Sequence, residues 1–145
     1  MMARITLVAV LLACSALSSA AGATPSDSLW QAITHVESRG DAGAYNAREG
    51  AAGVAQIRPV ALRDVNRIAR LGGREIRFSA RDRFDPEKSR EMWGLYLAHY
   101  GKHYRKQTGR SPTDEIYARI WNGGPSGWAK PTTRGYWDRV QAALE

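Results

Sequence analysis

Along the chain, apolar positions recur with the period of a helix in five stretches, and each stretch is bracketed by residues that start or stop helices. Leu29, Ile33 and Val36 stand at i, i+4 and i+7, and Ser26-Asp27-Ser28 ahead of them offers side-chain oxygens for the orphan N–H groups of a first turn. This spacing predicts a helix that ends near Ser38-Arg39-Gly40. Val60, Leu62, Val65 and Ile68 predict a second helix from about Pro59 to Arg70, closed by Gly72-Gly73. Asp85-Pro86-Glu87 opens a third, because Asp caps, Pro fits the first turn and Glu sits at the positive end of the dipole. That helix is expected to reach about Tyr104. A fourth, short helix starts at Ser111-Pro112-Thr113-Asp114-Glu115, carries Ile116, Tyr117 and Ile120, and stops at Asn122-Gly123-Gly124-Pro125. A fifth runs from about Thr133 to the end. Residues 40–53 are rich in Gly and Ala, and residues 74–84 have no clear period and read as extended. The expected fold is mainly α, with at most a short β element.

The first residues follow a different pattern. Arg4 precedes an apolar run from Ile5 to Ala13, and small residues follow from Cys14 to Ala23. A run of about nine residues is too short to span a bilayer as a helix, and the three-part order is that of a secretory signal. Ala21-Gly22-Ala23 fits a small-x-small cleavage site, with Ser18-Ser19-Ala20 as a competitor, so residues 1–23 are expected to be a signal peptide and residues 24–145 a single domain. Leu11-Leu12-Ala13-Cys14 offers a lipid-anchoring alternative at Cys14, for which Leu12 is a poor fit. The expected location is the periplasm or the extracellular space.

Composition narrows the chemistry. The chain has 145 residues and one cysteine, which excludes an internal disulfide framework and any Cys-cluster metal site. Twenty-one Lys and Arg against fourteen Asp and Glu give a formal charge of +7, or +6 without Arg4, the one charged residue among the first 23. Such a balance predicts an anionic partner. For an exported chain that partner is the cell wall instead of nucleic acid. His99 and His103 stand four apart on the third helix, but no Glu follows His99 in the zinc-protease pattern, and they read as part of a solvated basic face with Lys102, Arg105 and Lys106. No cofactor or metal is expected. Met92, Leu95, Tyr96 and Tyr100 read as core.

Glu37 is the first candidate for catalysis. It lies four residues after Ile33 and seven after Trp30, so it shares their face, and its carboxyl is either directed inward or, as a helix-terminal Glu, turned to water. Burial disfavours the charged form, which is how a carboxylic acid keeps a proton near neutral pH and serves as a general acid. Gly50 and Gly53 flank a turn that presents Gln56, whose amide can donate and accept together and so suits sugar hydroxyls and N-acetyl groups. Asn122, ahead of two glycines, either caps its helix or enters a cleft.

Four blocks occur in a familiar order: Glu37-Ser38-Arg39-Gly40, then Gly50-Ala51-Ala52-Gly53-Val54-Ala55-Gln56-Ile57, then Ala118-Arg119-Ile120-Trp121-Asn122-Gly123-Gly124-Pro125, and Tyr136-Trp137-Asp138-Arg139-Val140. Together they resemble the soluble-type lytic transglycosylases of the lysozyme-like superfamily, over roughly residues 28–140. The resemblance implies an α+β lysozyme-like fold with a substrate cleft. It implies Glu37 as the catalytic acid and base, and Ser38, Gln56, Ile57, Tyr117, Trp121, Asn122 and Tyr136 as substrate-binding residues. Trp121 stands where the family often has Tyr, which keeps a ring and removes a hydroxyl. The late blocks also look like the invertebrate-type lysozymes, whose cysteines this chain lacks.

Carboxylate number separates the outcomes. Most glycosidases need two, whereas the lytic transglycosylases use one and close the muramic 6-hydroxyl on the anomeric carbon without water. The position used by the invertebrate-type hydrolases falls at Asn46, an amide, and the nearest acids are Glu49 and Asp41. The resemblance therefore implies a monomeric enzyme that cleaves the MurNAc–GlcNAc bond of peptidoglycan strands and leaves 1,6-anhydro ends. Lysozyme-type hydrolysis and a non-catalytic glycan-binding module are the alternatives. Small enzymes of this type often serve envelope-spanning secretion or conjugation machinery, which is a further expected partner.

Overall fold

A computed structural model describes residues 24–145, so the expected signal peptide and Cys14 lie outside the described residues. Five α-helices carry the fold: α1 (Asp27–Ser38), α2 (Pro59–Leu71), α3 (Pro86–Thr108), α4 (Asp114–Gly123) and α5 (Arg134–Leu144). Three of them begin at a side-chain cap. Ser26 Oγ accepts from Leu29 N, Asp85 accepts from Glu87 N and Lys88 N, and Thr113 Oγ1 accepts from Ile116 N. α1 packs on α5, α2 on α3, and α4 on both α3 and α5. Leu29, Ile33, Val65, Met92, Leu97, Ile120 and Val140 are fully buried where these helices meet. Burial of one such side chain is worth about 1.5–3 kcal/mol.

The one sheet among the described residues is a two-stranded ribbon inside the Gly/Ala-rich stretch, β1 (Tyr45–Asn46) antiparallel to β2 (Ala51–Ala52), with Tyr45 opposite Ala52 and Asn46 opposite Ala51. No helix among the described residues is long and apolar enough to cross a membrane.

Two boundaries differ from expectation. α3 continues one turn past Tyr104 to Thr108, because Tyr104 is buried edge-on against Trp128, at 5.1 Å between rings, and the stop comes at Gly109 with φ 71°. Residues 74–84 form no strand. Asn66 on α2 holds the segment by both ends of its amide, donating to Phe78 O at 2.9 Å and accepting from Phe78 N at 2.8 Å. Phe78 is buried, and the chain then turns through a 3-10 helix at Arg81–Phe84 into α3. The anchor for this segment is a side chain 12 residues earlier, so no local period could reveal it.

Candidate active site

Glu37 sits on the last turn of α1, and the next residue ties that turn to the Gly-rich loop: Ser38 Oγ donates to Val54 O at 2.8 Å. The loop is held close by backbone geometry. Gly53 has φ 75°, and a Cβ there would lie 1.7 Å from the carbonyl oxygen of Arg83, so only glycine fits. Gln56 adopts φ 50°, and its Nε2 donates to Gly53 O at 3.0 Å and Ala44 O at 3.3 Å, which fixes the amide at the cleft wall.

Arg83 braces the same loop from beneath. It is 7% exposed, its Nη1 donates to Gly50 O at 2.7 Å and Ile57 O at 2.8 Å, and its Nε donates to Ala80 O at 3.0 Å. Nothing in the sequence around it separates Arg83 from the exposed Arg74, Arg77 and Arg81, but the fold makes it an interior strut. Arg119 has a matching role beyond α4, where its guanidinium joins Glu115 Oε1 at 2.8 Å, Thr133 Oγ1 at 3.0 Å and Lys130 O at 3.2 Å. These contacts hold the turn that follows Asn122.

The result is a cleft of about 810 Å3 between the Gly-rich loop, α2 and the end of α4. Glu37, Gln56, Trp121 and Asn122 line it. The carboxyl of Glu37 is largely withdrawn from water, which pushes its pKa above the ordinary carboxylate value. The Tyr136 hydroxyl, which donates to Glu37 Oε1 at 2.7 Å, and the charges of Arg58 and Arg139 oppose that rise without cancelling it, while the charge of Glu49 adds to it. Tyr136 itself is buried at 4% exposure, and burial beside the carboxylate holds its hydroxyl well above the usual phenol range. Trp121 stands edge-on to Tyr96 at 5.6 Å, giving the cleft an aromatic floor. Tyr96 is buried core, as expected, and also faces the cleft.

Asn122 does not cap its helix. Gly124 N closes α4 on Ile120 O at 2.9 Å and Lys130 Nζ takes Gly123 O at 2.7 Å, so the Asn122 amide is left to the cleft. Four residues expected at substrate lie elsewhere. Ser38 has its hydroxyl committed to Val54 and Thr34, and Ile57 is fully buried. Tyr117, one turn before Trp121, faces α3, where a Cβ on Gly101 would come within 2.8 Å of its ring. Tyr136 stands behind Glu37 instead of along the cleft wall.

Of the other acids near the ribbon, Asp41 Oδ1 accepts from Gly43 N at 2.8 Å in an exposed turn and does not line the cleft. Glu49 does line it, paired with Arg58 at 3.0 Å, as does Asn46. Reading the chain by period missed Asp64 on α2, whose carboxylate accepts from the Tyr100 hydroxyl and pairs with Arg67 at 2.7 Å on the cleft wall. The available signal was a carboxylate four residues after Val60, on one face with an apolar side chain.

Known proteins named lysozyme share parts of this sequence. A stretch of 43 residues, 30% of this chain, is 49% identical to Lysozyme 1 of Crassostrea virginica, of which it covers 23%. A stretch of 47 residues, 32% of this chain, is 45% identical to a lysozyme of Meretrix lusoria, of which it covers 38%. The chain thus spans well under two thirds of either relative in these matches. The fold is similar to a chain in the crystal structure of Aeromonas hydrophila PliI in complex with Meretrix lusoria lysozyme, with TM-score 0.67 and 25% identity over 84% of this chain and 93% of that one. The family model named Transglycosylase SLT domain matches residues 18–127, which is 110 of 145 residues and includes Glu37, Gln56 and Asn122, and by that match the chain belongs to the SLT domain family.

Proposed function

We propose that this protein is a lytic transglycosylase that cleaves the β-1,4 bond between N-acetylmuramic acid and N-acetylglucosamine in peptidoglycan. The observation that carries the reading is the Glu37 carboxyl, withdrawn from water at the edge of a glycan-sized cleft, with its pKa raised and its position set by Tyr136. A protonated Glu37 gives its proton to the glycosidic oxygen as the bond from that oxygen to the anomeric carbon breaks. The carboxylate then takes the proton of the muramic 6-hydroxyl as that oxygen bonds to the anomeric carbon. One bond breaks, one forms and no water is consumed. Gln56 and Asn122, with both donor and acceptor atoms, orient the sugars, and Trp121 supplies a stacking face. Export ahead of residue 24 brings the enzyme to the wall.

What favours one carboxylate is the opposite wall, where Asn46 is an amide and Glu49 is exposed and ion-paired with Arg58. A second reading, lysozyme-type hydrolysis, is favoured by Glu49 lining the same cleft and by the relatives named lysozyme. Mass spectrometry of products released from purified sacculi separates the two, because an anhydro end is lighter than a reducing end by one water. Anhydro ends are expected from the wild type and from Glu49→Gln alike. Reducing ends throughout, lost in Glu49→Gln, would establish the hydrolase. Glycan binding with no product from either would mean a binding module.

A further inference from the structure

Behind the cleft, across the ridge of α2, lies a second concavity of about 560 Å3. Five arginines wall it: Arg63, Arg67, Arg70, Arg74 and Arg77. Arg63, Arg67 and Arg70 stand at i, i+4 and i+7, so they form one stripe on α2. The facing wall is the segment after Gly73, which Asn66 clamps through Phe78, so this groove has a built shape. Arg67 is fixed by Asp64 at 2.7 Å and by Tyr100 at 3.2 Å, and Arg74 pairs with Glu91 at 3.3 Å. Arg63, Arg70 and Arg77 form no ion pair among the described residues, and Glu75 is the one acid that lines the groove there.

Arg63 and Arg67 line both the groove and the catalytic cleft, so the two concavities adjoin along these side chains. Guanidinium forks match carboxylates in pairs of parallel hydrogen bonds. The groove holds no aromatic ring on which a base could stack and one apolar side chain, Ile76, which is too little for a lipid surface. Peptidoglycan carries short peptides with free carboxylates on its muramic acids, and these leave the glycan sideways. We propose that the α2 arginine groove is a subsite for the carboxylates of those peptide stems, and that it makes the enzyme prefer stem-bearing over naked glycan. The proposal rests on the peptidoglycan reading above, and binding and cleavage are therefore measured separately.

The test uses Arg70→Gln/Arg77→Gln, two residues that line the groove and not the catalytic cleft. Binding is measured in a Glu37→Gln background, on soluble glycan strands with their peptides and on the same strands stripped by an amidase. The Glu37→Gln parent is expected to bind stem-bearing strands more tightly. The double substitution is expected to weaken that binding about 5–10-fold, while changing binding to stripped strands less than about 2-fold. Raising the salt to about 0.5 M should remove the same preference, because exposed charges are screened. Equal parent affinities for the two strands, or equal losses on both in the double variant, would overturn the proposal. A preference that follows wall phosphate polymer instead of stem peptide would overturn it too. If the arginine-dependent preference holds while wild type releases no product, the catalytic reading fails and the subsite stands. Circular dichroism of the double variant, expected unchanged, excludes unfolding as the cause.

Discussion

The hydroxyl of Tyr136 donates to Oε1 of Glu37 at 2.7 Å, joining the last helix to the first across 99 residues of sequence. The bond has two effects of opposite value to an acid catalyst. It holds the carboxyl in one orientation, and by favouring the charged form it restrains the rise in pKa that burial causes.

Tyr136→Phe separates these effects. Loss of the donor leaves burial less opposed, so Glu37 should hold its proton to higher pH, and the alkaline limb of the kcat/KM profile should move upward. At the optimum, kcat should fall about 10-fold because the carboxyl is no longer positioned. A limb that stays in place or moves to lower pH would show that Tyr136 does not act on the Glu37 proton.

Glu37→Gln bears on stability as well as on rate. The folded state raises the Glu37 pKa, so folding is favoured by this group at low pH, and the advantage is lost as pH rises through the folded value. Glutamine keeps an oxygen for Tyr136 and has no charge to bury. At neutral pH or above the variant should melt about 2–4 °C higher than wild type, and below the ordinary glutamate pKa the gap should close. Activity should drop by about 10²–10⁴. Scanning calorimetry at pH 3.5 and pH 8 checks the first point, and a gap of the same size at both would contradict it.

Gly53 and Gly40 distinguish strain from collision. Both have positive φ, 75° and 79°, but a Cβ on Gly40 meets nothing within 4 Å and one on Gly53 meets Arg83 O at 1.7 Å. Gly40→Ala should cost about 1 kcal/mol, the usual cost of a left-handed alanine. Gly53→Ala should cost about 3 kcal/mol or more, because backbone on one side must move. Denaturant titration of the two variants compares them directly, and equal losses would mean that the loop yields freely.

Much of this was legible because the cues were local. Ser26, Asp85 and Thr113 each cap a helix beside an apolar period, and the placement of Glu37 followed from its distance to Trp30 and Ile33. What escaped depends on contacts across the chain. Ile57 follows the cleft residue Gln56 in the same block, yet successive side chains diverge, and Ile57 enters the core. Tyr117 shares a face with Trp121, but one turn deeper that face meets α3 instead of solvent. Tyr136 was recognised as important through its block, while its role behind Glu37 depended on how α5 packs on α1.

Arg83 is a buried arginine that braces the Gly-rich loop, and it makes a prediction of its own. Its guanidinium is held by the carbonyls of Gly50, Ile57 and Ala80, with no carboxylate partner among the described residues. Arg83→Met keeps most of the volume and removes the side-chain donors to Gly50 O and Ala80 O, while Ile57 O keeps only Ala52 N at 3.2 Å. That should cost about 2–4 kcal/mol, against less than about 0.5 kcal/mol for the exposed Arg81→Met. Because Gly50 and Ile57 bracket Gln56, the survivors should also bind glycan less well, so KM should rise several-fold while the pH dependence set by Glu37 stays put. Arg83→Lys keeps the charge but offers one nitrogen where the carbonyls are bonded through two, and should fall between the two in stability. Chemical denaturation and steady-state rates on soluble strands read both effects. If Arg83→Met were as harmless as Arg81→Met, the loop that presents Gln56 would have to be held by Ser38 and the ribbon alone.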